Sequence, residues 1–146
     1  METLERLIAV EAIRELKARY CRLADFRYWE AFSQLFTPEG TMRFFDPAGS
    51  LLSEVHGRTE IIAKLTKSVG KAQPIHHVFS AEIDVLSPTT AKALWAMEDQ
   101  IIQPEGSKAS FRTMRGYGHY HEQYRCIDSH WLIEKLELTR IKLEFN

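Results

Sequence analysis

The chain has 146 residues, 45% of them apolar and 27% charged, with a net charge of −1, which is the size and composition of one globular domain with a sizeable core. The charge balance lacks the clustered surplus of Lys and Arg that phosphate binding needs, which excludes a nucleic-acid partner. No apolar run approaches the roughly 18 residues of a membrane span, METLERLIAVEAIREL lacks the pattern of a secretory leader, and Cys21 and Cys126 match no metal or redox spacing, so free thiols in a reducing cytoplasm are expected.

In chain order, Leu4, Leu7, Ile8, Ile13, Leu16, Tyr20 and Leu23 recur at three- and four-residue steps and predict a first helix with one apolar stripe. Glu5, Arg6, Arg14, Glu15, Lys17 and Arg22 fill its other face. Asp25-Phe26-Arg27 breaks the rhythm, and a short second helix over about 28–36 ends at TPEG. TMRFF reads as a strand, DPAG as a turn and LLSEVH as a short strand. GRTEIIAKLTKSV predicts a third helix with Thr59 as N-cap and Ile61, Ile62, Leu65 and Val69 inward.

Past Gly70 the period changes. IHHVFSAEIDVL, TAKALWAMEDQII, KASFRTMRGYGHYHEQYRC and HWLIEKLELTRIKLEF alternate with period two and are separated by SPTT, PEGS and IDSH. This predicts an antiparallel meander of long, hairpin-connected strands. Helices first and sheet second make a single α+β domain over residues 1–146, the sheet curving around the helices with a cavity between them.

Four places carry candidate chemistry. In RYCRLADFRYWEAF, Asp25 stands among aromatic rings, either capping the second helix or forming half of a catalytic pair. On the strand IHHVFSAEIDV, strict alternation groups Ile75, His77, Phe79, Ala81, Ile83 and Val85 on the apolar face and puts His76 on the wetter one, so His77 is the inward candidate. In RGYGHYHEQY, Arg115, Tyr117, His119, His121 and Gln123 share a face; His119 and His121 are a weak metal pair and more readily line a pocket or face solvent, and Gly116 and Gly118 point to a bulge or a close approach. In MEDQ, Glu98 and Asp99 fall on opposite faces, and an inward Asp99 needs a partner such as Arg140.

The order and spacing of these pieces, YCRLADFRYWEAFSQLF, then GRTEII, HHVFSAEI, GYGHYHEQY and a late LTR, resemble the SnoaL-like branch of the NTF2-like superfamily over nearly the whole chain. The resemblance implies a cone of N-terminal helices in the concave face of a strongly curved antiparallel sheet. It also implies a cofactor-free acid/base enzyme, of dehydratase or isomerase type, acting on a small apolar cyclic carbonyl compound. Asp25 and Tyr20 match the family's Asp and Tyr. The family His aligns with His76 or His77, alternation favouring His77 as base, and in the bile-acid dehydratases it falls where this chain has Phe79. Phe26, Trp29 and Phe79 are the implied apolar walls, with Asp99, Tyr117, His119 and Arg140 as further pocket residues. No metal and no cofactor is implied, and a homodimer or homotrimer is. The other reading is a non-catalytic ligand-binding or assembly domain, as in the small subunits of ring-hydroxylating dioxygenases, because fold alone does not give function.

Overall fold

The structure is a computed structural model that describes all 146 residues. Three helices, α1 (Thr3–Asp25), α2 (Trp29–Ser33) and α3 (Gly57–Val69), pack with six strands: β1 (Phe36–Phe45), β2 (Leu51–His56), β3 (Gln73–Val85), β4 (Thr90–Ile102), β5 (Thr113–Ile127) and β6 (His130–Phe145). The strands form one sheet in the order β2-β1-β6-β5-β4-β3. β3 to β6 make the expected antiparallel meander, but β1 runs parallel to β6, so the sheet is mixed rather than purely antiparallel. No helix is long and apolar enough to cross a membrane.

The break after Asp25 is a Schellman turn. Tyr28 N–H donates to Leu23 O and Arg27 N–H to Ala24 O, with Arg27 left-handed at φ 60° where glycine is usual. Arg27 Nη1 donates to Ala72 O at 3.1 Å. This tie across to the α3–β3 connection offsets the backbone strain and anchors the end of α1 beside the start of β3. The second helix begins at Trp29 behind Tyr28, with no side-chain cap, so Asp25 is free for other work. α3 begins at Gly57 after His56, not at Thr59, and Glu60 accepts the His56 N–H in place of a cap.

The core lies on the concave face of the sheet, where Ile13, Leu16 and Tyr20 of α1 meet Trp95, Tyr120, Tyr124, Leu136 and Leu138. The apolar stripe expected on α1 mixes two faces. Leu4 and Ile13 are nine residues apart, two and a half turns at 3.6 residues per turn, and so point oppositely. Ile13 is fully buried while Leu4, Leu7 and Ile8 are 60–68% exposed. The surface that α1 turns to the sheet includes Lys17, completely buried and not on the solvent face.

Candidate functional site

β3 decides which histidine faces inward. Its register with β4 slips between Phe79 and Glu82, and Ser80 takes a left-handed φ of 45°. This is a bulge, and one extra residue reverses the parity of every side chain beyond it. Ala81, Ile83 and Val85 pack against or within the core. On the near side Pro74, His76 and Val78 face inward. The expectation for His77 and Phe79 is therefore corrected. His77 lies on the outer face, 57% exposed, with Nδ1 3.4 Å from Glu98, and Phe79 is 48% exposed. Alternation counted back from Val85 without the bulge selects the wrong histidine.

His76 meets Asp25. The ring Nδ1 is 2.8 Å from Asp25 Oδ1, and the same oxygen accepts the His76 backbone N–H at 2.9 Å. The backbone bond fixes the carboxylate, so the ring contact is pre-oriented. Gln73 Nε2 donates to the Asp25 carbonyl at 2.8 Å and braces the end of α1 from β3. Both partners are mostly covered, the His76 side chain 16% exposed and that of Asp25 28%.

Directly across the ladder from His76 stands Asp99. It faces inward, buried to 7%, and Arg140 holds it with two parallel bonds, Nη1–Oδ1 at 2.6 Å and Nη2–Oδ2 at 2.9 Å. A bidentate guanidinium–carboxylate pair is strong and directional. It lies beside the Asp25–His76 contact on the concave face.

Deeper in the same face lies a second, sealed ion pair. Lys17 Nζ bonds Glu122 Oε2 with neither side chain exposed. Its ammonium lies 3.4 Å from the centroid of the Tyr20 ring and 3.5 Å from that of Tyr120. Glu122 Oε1 accepts from Tyr124 OH, which accepts from Trp95 Nε1 at 2.9 Å. Burial lowers the proton affinity of Lys17 against the opposing pull of Glu122. Burial and then the nearby Glu122 charge push the Tyr20 phenol well above its ordinary range, and burial does the same to Tyr120. Both phenols thus keep their protons as donors throughout the working pH range. Tyr20 stands edge-on to His76 with ring centroids 6.3 Å apart.

Of the expected wall residues, Trp29 is buried and stacks edge-on against Phe32 at 5.4 Å. Phe26 is 58% exposed and leans on Tyr28. Tyr117 and His119 are also corrected. β5 turns Gly116, Gly118, Tyr120, Glu122 and Tyr124 inward and the intervening residues outward. His121 on that outer face bonds Thr139 Oγ1 at 2.9 Å, and no three His, Cys, Asp or Glu side chains converge as a metal set would. The sequence reading missed Lys17, Glu122 and Tyr120. For Glu122 and Tyr120 the available signal was the even-numbered inward parity on β5, which the two glycines advertise because both are closely approached by β6; Lys17 gave no local signal.

The concave face thus presents a histidine on a carboxylate, a neutralised Asp–Arg pair opposite it and buried phenols beneath. A family model for the SnoaL-like domain matches residues 5–137. The chain is 29% identical over 139 residues to "Probable cyclase FGR4" of Gibberella zeae, covering 91% of each protein. It has a TM-score of 0.83 and 19% identity to a "Putative Scytalone Dehydratase" from Novosphingobium aromaticivorans, covering 99% of this chain and 92% of that one. It has a TM-score of 0.78 and 12% identity to the beta subunit of a "putative aromatic-ring-hydroxylating dioxygenase" from the same organism, covering 97% and 94%. These relatives include proteins named for enzymatic conversions of small molecules. With the family model spanning most of its length, the chain belongs to the SnoaL-like domain family and has the NTF2-like α+β fold.

Proposed function

We propose that the protein is a cofactor-independent acid/base enzyme, a dehydratase or isomerase, acting on a small cyclic carbonyl compound. The observation that carries this reading is the 2.8 Å contact of His76 Nδ1 with Asp25 Oδ1. A carboxylate at Nδ1 holds the proton on that nitrogen and leaves Nε2 with its lone pair, the tautomer a general base requires. His76 abstracts the proton next to the carbonyl, and Asp25 orients the ring and stabilises the imidazolium. Tyr20 and Arg140 are the donors to the developing enolate oxygen, where preorganised hydrogen bonds act most strongly. The protonated His76 then returns the proton, either to a leaving hydroxyl or to the far end of the shifted double bond. Trp29 and Phe26 supply apolar surface for the ring system.

The test is turnover on a panel of cyclic ketones of steroid and polyketide type. Asp25→Asn and His76→Gln should each lower kcat by about 10²–10⁴-fold while the circular dichroism spectrum and melting temperature stay near wild type. Full activity in either variant would remove the reading.

A second reading, a non-catalytic assembly domain, is favoured by the likeness to a dioxygenase beta subunit. Stable co-purification with a larger iron-containing subunit, and no turnover across the panel, would decide for it.

A further inference from the structure

We propose that Gly116 is a positioning residue of the candidate site: its missing side chain is the notch through which Arg140 crosses β5 to clamp Asp99, so that His76 faces a neutralised carboxylate. The inference rests on Asp25 and His76 being the acid–base pair of the reading above.

Asp99 is on β4 and Arg140 on β6, with β5 between them. Neighbouring strands lie about 4.8 Å apart, so the pair must span two strand spacings over the concave face of β5. The residue of β5 opposite Asp99 is Gly116. A Cβ built there would lie 2.6 Å from Asp99 Oδ1 and closer still to Arg140 Nη1. Any side chain at this position therefore occupies the space that the guanidinium fills.

Gly118 completes the device. The β5–β6 register runs Tyr117↔Lys142 and then Gly118↔Arg140, so Ile141 is bulged out and is 69% exposed. This turns Arg140 inward. A Cβ on Gly118 would overlap the Thr139 carbonyl that makes the bulge. The sequence Gly-Tyr-Gly thus pairs one glycine that sets the bulge with one that clears the path.

The chemical consequence falls on His76. Asp25 and Tyr20 face it from α1, Asp99 faces it from β4, and Arg140 from β6 reaches it through Asp99. Glu98, Arg115 and His77 belong to the opposite face of the sheet. With Arg140 in place, one uncompensated carboxylate holds the imidazole. With Arg140 displaced there are two, and the added negative charge favours the imidazolium over the free base that the reaction needs.

The experiment compares wild type, Gly116→Ala, Arg140→Met and the double variant Gly116→Ala/Asp99→Asn. In Gly116→Ala and in Arg140→Met the rising limb of the pH–rate profile should move up by about 1–2 pH units. In the double variant it should return to within about half a unit of wild type, because the orphaned charge is gone. The same proteins are read without substrate by the pH midpoint of the His76 ring resonance in NMR, with the same pattern expected. Absent turnover across the panel removes the functional reading, whereas the NMR titration still decides this one. An unmoved midpoint in both single variants, or a shift that Asp99→Asn fails to reverse, overturns it. Should Gly116→Ala not fold, Arg140→Met with and without Asp99→Asn makes the same comparison.

Discussion

Replacing Lys17 by methionine tests what the sealed ion pair does for the fold. The substitution keeps the length of the side chain and removes its charge. Glu122 is then left without its counter-ion, with no part of its side chain exposed. Breaking a buried pair in this way costs about 3–5 kcal/mol. Two close ammonium–ring contacts also vanish, at 3.4 and 3.5 Å, each worth about 0.5–2 kcal/mol. The Tyr124 hydroxyl still donates to Glu122, which retains part of the solvation, so the expected net is about 4–5 kcal/mol. For a chain of this size that corresponds to a melting temperature lower by about 10–15 °C. The double variant Lys17→Met/Glu122→Leu removes both charges and fills the space with apolar atoms. It should lie within about 1 kcal/mol of wild type or be more stable, since burial already acts against the charged form of Lys17. Urea and thermal unfolding of wild type, Lys17→Met, Glu122→Leu and the double variant close a double-mutant cycle, with a coupling above about 2 kcal/mol expected. A single-variant cost below about 1 kcal/mol, or single costs that simply add, would refute the reasoning.

Gly118→Ala should cost more than about 3 kcal/mol or prevent folding, because its Cβ would overlap the Thr139 carbonyl; Gly49→Ala, with open space around it but a φ of 88°, should cost only about 1 kcal/mol in the same melt. Ser80→Gly relieves the left-handed residue of the β3 bulge at φ 45° and should raise the melting temperature by about 2–4 °C; a loss would mean that the serine side chain supports the bulge. Burial pushes the Cys21 thiol from 9.0 up to about 11, so labelling at pH 8 with iodoacetamide should modify it about 10–100-fold more slowly than in the unfolded chain, because so little thiolate is present. The native thiol also keeps its proton where the unfolded one has lost it. The stability of wild type relative to Cys21→Ala should therefore fall as pH rises from 9 to 11, and a flat difference would contradict the burial.

The order of helices and strands, the α+β class and the meander were legible in the chain, because hydrophobic periods of 3.6 and 2 are local properties that survive any tertiary arrangement. Asp25 at the end of the first helix was legible for the same reason, as were Gly116 and Gly118 as places of close approach. What the chain could not show was phase. Ser80 gives no glycine signal for the bulge that makes His76, not His77, the inward histidine, and one extra residue reverses a whole strand face. Lys17 looked like a solvent-facing charge because its partner Glu122 lies more than a hundred positions away, and a buried charge is tolerated only through the partner that folding brings to it. Which of two adjacent histidines meets a carboxylate, and which charges are paired, depended on register across the sheet. Only the tertiary structure sets that register.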